Sequence, residues 1–187
     1  NPFIAFALFA FSAVNPLHQN PNLSPYENIE FALSCKPPDS LGVMETRRPH
    51  IVVLGAGFGG LTFCQKFAQP DARITLVDRQ NHHLFQPLLY QVATAGLSAP
   101  EIAQPIRSIL SDKENITVLL DSVKDINLKQ RQVMLESKTL DYDYLLIGLG
   151  GVTSYFGHPE WEQHAPGLKS LDDALRIRRE VLLAFEH

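Results

Sequence analysis

Cysteine, tryptophan and clustered basic charge are all scarce in this sequence, and each scarcity removes a class of protein. There are two cysteines, Cys35 and Cys64, far apart and in no CxxC or zinc-ligand spacing. A disulfide framework or a structural zinc site is therefore excluded, and two unpaired thiols in a reducing compartment are expected. No basic run is longer than Arg47-Arg48 or Arg178-Arg179, and the net charge is −4. Nothing in that balance fits a nucleic-acid surface. The apolar stretch from Phe3 to Val14 holds only about a dozen residues, against about 20 needed to cross a bilayer.

That stretch resembles the core of a signal peptide, but no basic residue precedes it. The chain does not begin with Met, whereas Met44 stands just before the first strand-like run. Residues 1–43 are therefore expected to be an extension upstream of a natural start at Met44, with a truncated signal peptide as the alternative. They lack helical or strand periodicity and are expected to stay unordered.

What is present is a globular composition, 45% hydrophobic, enough for a real core. His50 to Leu54 is a β-branched run that reads as a buried strand. Gly55-Ala56-Gly57-Phe58-Gly59-Gly60 follows directly. Leu61 to Ala68 reads as a helix stopped near Pro70, and Arg73 to Val77 reads as a second strand closed by Asp78. This order is a βαβ unit. Asn81 to Leu97 has no clean period and reads as a loop over a site. Ser98 to Glu101 is a capping box that starts a helix expected to run to Leu110. Ile116 to Leu120 is a further strand. Ser122 to Leu128, Gln132 to Glu136 and Leu140 to Ile147 read as a meander of three strands. Ser170 to Phe185 reads as a helix capped by Ser170, with Asp172 and Asp173 in its first turn. Its stripe of Leu171, Ala174, Leu175, Val181, Leu182 and Phe185 is expected to pack into the core. The expected fold class is α/β, a Rossmann-like dinucleotide-binding domain. Its parallel sheet would carry helices on one side and an antiparallel β-meander on the other.

The chemistry concentrates at the glycine run. In Gly55-x-Gly57-x-x-Gly60, Gly55 permits the tight turn out of the strand. Gly57 lets the backbone approach a pyrophosphate, and Gly60 lets the helix pack on the sheet. The helix N-terminus supplies free amides and a positive dipole end. GxGxxG alone is a weak signal, but here it follows a strand, opens a helix and has an acid at the end of the next strand. Asp78 would accept the hydroxyls of an adenosine ribose and repel a 2′-phosphate. Removing its carboxylate is expected to weaken binding while leaving the fold intact. This spacing does not separate FAD from NAD.

Residues 49–187 resemble the N-terminal FAD domain of type II NADH:quinone oxidoreductases. The matching stretches are HIVVLGAGFGGL at 50–61, ITLVDRQNHHLFQPLLYQVATAGLSAPEIAQPIRSIL at 74–110 and YDYLLIGLGGVTSYFG at 142–157. The middle stretch is not shared with dinucleotide folds generally. The resemblance implies bound FAD, with NADH and quinone as substrates of the whole enzyme. Gly55, Gly57, Phe58, Gly59 and Gly60 would face the pyrophosphate, and Asp78 with Arg79 the ribose. Val123 would lie against the adenine through its backbone, and Pro87 to Tyr90 near the flavin ring. The family's Ala-Thr-Gly stands here as Gly148-Leu149-Gly150, which drops a hydroxyl and keeps the final glycine. Related disulfide reductases carry a CxxxxC pair after the ribose-binding acid. His82 to Ala95 contains no cysteine, and quinone is the family's other electron acceptor.

The resemblance further implies a domain, 44–187, that ends before the NADH-binding domain, and it leaves a homodimer open. It also implies peripheral attachment, through a later region, to the cytoplasmic face of the inner membrane. No catalytic acid, base or nucleophile is expected in this stretch, and no metal. His82 and His83 are adjacent and lack a surrounding Asp/Glu/His cluster, so loop hydrogen bonds or packing are expected of them. A single-unit NAD dehydrogenase would need a Tyr-x-x-x-Lys pair, which does not occur. A non-catalytic dinucleotide-binding module and another FAD- or NAD(P)-dependent oxidoreductase are the alternatives.

Overall fold

A computed structural model describes residues 48–186. The expected extension, residues 1–43, lies outside the described residues, as does Cys35. Four parallel strands form the central sheet, in the order β5-β2-β1-β9. They are β1 (His50–Leu54), β2 (Arg73–Asp78), β5 (Ile116–Leu120) and β9 (Tyr144–Ile147). Between β1 and β2 runs α1 (Phe58–Lys66).

The alternation of side chains along β1 and β2 builds two cores. Ile51, Val53, Ile74 and Leu76 point to one face, where they pack with Leu61 and Cys64 of α1 and with Ile106 and Leu110. Val52, Leu54 and Val77 point to the other, against Val133, Leu135, Tyr142 and Leu145. That second face is covered by an antiparallel meander of β6 (Val123–Asn127), β7 (Gln132–Leu135) and β8 (Thr139–Asp141). The expected α/β architecture, helices on one face and meander on the other, is the one observed. Burial on both faces explains why β1 runs apolar from Ile51 to Leu54 instead of alternating.

Several local expectations are corrected. The stretch 140–147 is two strands. Tyr142 and Asp143 turn the chain from the meander into the parallel sheet. Asp143 accepts the His50 N–H at 2.7 Å through Oδ2 and donates its own N–H to the His50 carbonyl at 2.8 Å. The His50 ring is buried, with Nδ1 2.7 Å from the Asp141 carbonyl and Nε2 2.7 Å from Thr75 Oγ1. α1 starts at Phe58, earlier than its apolar period suggested, because glycines occupy its first turn. The helix expected from Ser98 to Leu110 is broken into α3 (Ala99–Ile102), β4 (Ala103–Pro105) and α4 (Ile106–Ile109). Pro105 cannot donate within a helix, and it pairs instead across from His82. The supposed loop 81–97 contains β3 (His82–Leu84), a 3₁₀ turn Gln86–Leu88 and α2 (Leu89–Ala93). Elements this short are held by tertiary pairing and leave no period to read.

The last helix, α5 (Leu171–Leu183), has the expected cap. Asp173 N–H donates to Ser170 Oγ at 3.1 Å, and Ser170 N–H to Asp173 Oδ2 at 2.9 Å. Its stripe is not core, however. Ala174 is buried against α2, while Leu175, Val181, Leu182 and Phe185 are exposed. α5 meets the described domain mainly along α2, with Arg178 donating to the Leu97 carbonyl at 3.1 Å and Arg176 to the Glu162 carbonyl at 3.3 Å, and the rest of the stripe stays exposed among the described residues.

Cys64 sits in the helix-side core at 0% exposure, and burial pushes its thiol up from 9.0 to about 12. The folded state thus holds this proton to higher pH than the unfolded chain does. The associated stability is complete below the ordinary thiol value and is lost as pH climbs toward 12. With Cys35→Ser removing the other thiol, a disulfide-exchange reagent at pH 8 is expected to leave the native chain unreacted and to label it promptly in denaturant. Fast labelling of the native chain would contradict this packing.

Candidate nucleotide site

In a sheet ordered β5-β2-β1-β9, the chain leaves β1 for β2 on one side and arrives at β9 on the other. The carboxyl ends of β1 and β9 thus flank the switch point of the topology, where open α/β sheets form a crevice. A cavity of roughly 450 Å³ occupies that place, within the range of small-ligand sites. Its wall comes from Gly55 after β1, Asp78 and Arg79 at the end of β2, Asp121 to Val123 after β5, and Leu149 to Val152 after β9.

The glycine turn is built by contacts that no side chain would allow. Gly55 has φ +95°, and a Cβ there would collide with the Gly148 carbonyl. A Cβ on Gly60 would collide with the Gly55 carbonyl, so α1 packs directly against the turn. Gly57 differs: a Cβ there would meet nothing within 4 Å. The backbone at the start of α1 therefore faces open space, the shape a bound group could fill. The N–H groups of the first helical turn have no intrahelical acceptor.

Asp78 organises this turn. Oδ2 accepts the Ala56 N–H at 2.6 Å and Oδ1 accepts the Gln80 N–H at 2.8 Å. Each oxygen keeps lone-pair capacity toward the cavity. The structure thus gives Asp78 a share in stability in addition to the binding role expected of it. Gly148, after β9, donates its N–H to the Leu54 carbonyl at 2.7 Å. A Cβ there would stand 3.4 Å from the Leu54 oxygen and 3.5 Å from the Gly60 nitrogen. Gly150 takes φ +69°, and Leu149 is exposed on the cavity wall.

Of the residues singled out from the sequence, Gly55, Asp78, Arg79, Val123, Leu149 and Gly150 line the cavity. Gly148 backs the glycine turn. Gly57, Phe58, Gly59 and Gly60 make the adjoining cap and first turn of α1. Pro87 stands apart on an exposed 3₁₀ turn. It is linked to the site through neighbouring Phe85, whose ring is 5.5 Å from that of Phe58.

Sequence reasoning missed Asp121. It lines the cavity and accepts N–H bonds from Ser122 at 2.8 Å and Glu136 at 3.2 Å, together with the Ser137 hydroxyl. The Ser137 hydroxyl, and then the backbone donors, hold its carboxyl below the usual range. Asp121 closes β5 as Asp78 closes β2, and that parallel was the available signal. Two carboxylates at this end of the cavity disfavour a phosphate there and direct it toward the start of α1. His83, of which a loop hydrogen bond or packing was expected, has its Nδ1 2.9 Å from the Ala56 carbonyl, a partner the sequence did not indicate. A second, shallow hollow beside Pro159, Glu162 and Arg176 shares no residue with this site.

Among curated proteins, the type II NADH:quinone oxidoreductase Ndh of Mycobacterium tuberculosis is 45% identical over 144 residues, covering 75% of this chain and 31% of that protein. NdhA of the same organism is 43% identical over 160 residues, 82% of this chain and 33% of that protein. Among solved structures, NDH2 from Plasmodium falciparum in complex with NADH superposes with a TM-score of 0.66 at 28% identity, covering 71% of this chain and 28% of that one. The chain thus spans about a third of the length of the curated relatives it matches. The pyridine nucleotide-disulphide oxidoreductase family pattern matches residues 49–184, and the chain belongs to that family.

Proposed function

We propose that this chain is the FAD-binding part of a flavoprotein NADH dehydrogenase that passes electrons from NADH through FAD to a quinone. The observation that carries the reading is the open backbone at Gly57, beside a cavity at the β1/β9 switch point whose far end is acidic. The residues fit the cofactor's chemistry. Gly57, Phe58, Gly59 and Gly60 would take the diphosphate on the N–H groups of α1. Gly55 and Gly148 keep the turn and the end of β9 close enough to form the pocket. Asp78 would hold the adenosine ribose, with Arg79 beside it and the Val123 backbone toward the adenine. Leu149 and Gly150 would line the path out of the pocket. Pro87, with Phe58 and Phe85, would lie toward the flavin. When bound, the flavin supplies hydride acceptance and onward electron transfer, while protein groups position it and tune it.

The relatives named above are NADH:quinone oxidoreductases, and the segment 82–95 offers no cysteine pair to receive electrons. Quinone is therefore the acceptor favoured here. On this reading the protein works at the cytoplasmic face of the inner membrane as a peripheral protein, with a homodimer as the assembly to test. No helix among the described residues is long and apolar enough to cross a membrane.

The test is reconstitution of the purified chain with FAD and with NAD in parallel. A yellow, dissociable complex with FAD is expected. Tight NAD binding without flavin uptake would refute the assignment.

A further inference from the structure

We propose that His83 is a positioning residue that locks the Ala56–Gly57 peptide in the orientation that presents the Gly57 N–H to a diphosphate. The inference rests on the nucleotide-binding reading above and extends it to a residue that reading leaves unused.

The Ala56 backbone is held at both of its polar groups by side chains, one from the end of β2 and one from β3. Its N–H donates to Asp78 Oδ2 at 2.6 Å, and its carbonyl stands 2.9 Å from His83 Nδ1. A carbonyl oxygen can only accept, so Nδ1 carries the proton. The peptide that follows is planar and trans, so its C=O and N–H point in opposite directions. Holding the Ala56 oxygen against His83 therefore aims the Gly57 N–H the other way.

This lock is needed because the turn has freedom elsewhere. Glycines flank Ala56 on both sides, and Gly57 carries no side chain to resist rotation. A rotated peptide would turn a carbonyl, not an amide, toward an anion. His83 itself is well placed to resist. It sits in β3, paired with Gln104 of β4, and the ladder is continued by Phe85 N–H to the Ile102 carbonyl at 2.8 Å. Its ring stands edge-on to Phe58 at 5.2 Å, so the helix start and the lock are packed together. The three-residue strands β3 and β4, otherwise without evident purpose, thus serve to fix one ring against the glycine turn.

Two substitutions separate the hydrogen bond from the packing. His83→Phe keeps an aromatic ring beside Phe58 and removes the donor. His83→Asn places an amide donor close to the position of Nδ1. Binding of FAD, ADP and adenosine to the full chain is measured for each by titration, with melting temperature recorded without ligand. His83→Phe is expected to weaken FAD and ADP about tenfold, the effect of one lost charge-assisted hydrogen bond. Adenosine, which has no diphosphate, should be unaffected, and His83→Asn should stay within about threefold of the parent. A purely structural role would weaken all three ligands together. Parent-like FAD affinity in His83→Phe, equal loss for adenosine, or equal loss in His83→Asn would each overturn the inference while leaving the nucleotide site standing. If the parent chain takes up neither FAD nor ADP, the nucleotide reading fails and this inference fails with it.

Discussion

Gly60→Ala will cost this domain much of its stability, whereas Gly57→Ala, three positions earlier in the same motif, will leave the fold almost untouched. A methyl on Gly60 has no room, since it would overlap the Gly55 carbonyl, which is backbone and cannot swing aside. Either α1 lifts from the sheet or the turn after β1 deforms, and both disturb the core of Val53, Leu61 and Cys64. Overpacking of this kind costs about 2–3 kcal/mol or more. For a domain of this size that is a fall in melting temperature of roughly 6–15 °C. Gly57 is in extended backbone at φ −67°, which any residue adopts, and a methyl there enters open space. Gly57→Ala should therefore melt within a few degrees of the parent yet bind FAD at least about tenfold more weakly, because its methyl stands where the diphosphate would lie. Thermal melts and flavin titrations of the two variants check both halves. Equal stability losses would mean that the turn is built differently.

Asp78→Ala should lose affinity and stability together. The carboxylate receives two backbone N–H groups, from Ala56 and Gln80. Without it the Ala56 N–H, in a residue only 2% exposed, has no acceptor. An unsatisfied buried donor costs about 1–3 kcal/mol. The ribose bonds that the carboxylate would make are charge-assisted, so their loss should weaken FAD about tenfold or more. Asp78→Asn discriminates the two roles. Its amide oxygen can still accept from Ala56, so much of the stability should return. Its NH₂ group cannot accept at the second oxygen, so affinity should not fully recover. Unchanged FAD affinity in Asp78→Ala would show that the ribose is held elsewhere.

How far the sequence carried this account depended on the range of the forces involved. The β1–turn–α1–β2 unit was legible because its constraints are local: β-branched residues before Gly55, glycines at fixed offsets, an acid after Val77. The two-faced burial of β1 and β2 was visible as an unbroken apolar run. The pairing of His83 with Ala56, and of Asp121 with Ser137, joins residues far apart in sequence and leaves no periodic trace. β3, β4 and α2 are each too short to show a period, and only Pro105 signalled that a helix could not pass. The split at Tyr142-Asp143 was hidden because no glycine or proline stands between the two strands to mark it. It is decided by Asp143 bonding to the backbone of His50. On α5 the cap was readable from Ser170 and Asp173, but the fate of the stripe was not. Periodicity shows that a face is apolar and does not say what covers it.

The most direct test of the central claim, that the strand-end crevice and the start of α1 hold FAD, is an NMR titration of the nitrogen-labelled chain with FAD. The largest amide shifts are predicted at Gly57, Phe58, Gly59 and Gly60, with a second group at Asp78 and at Asp121 to Val123. A complex in which those amides stay still, while signals near Trp161 and Arg176 move, would contradict it.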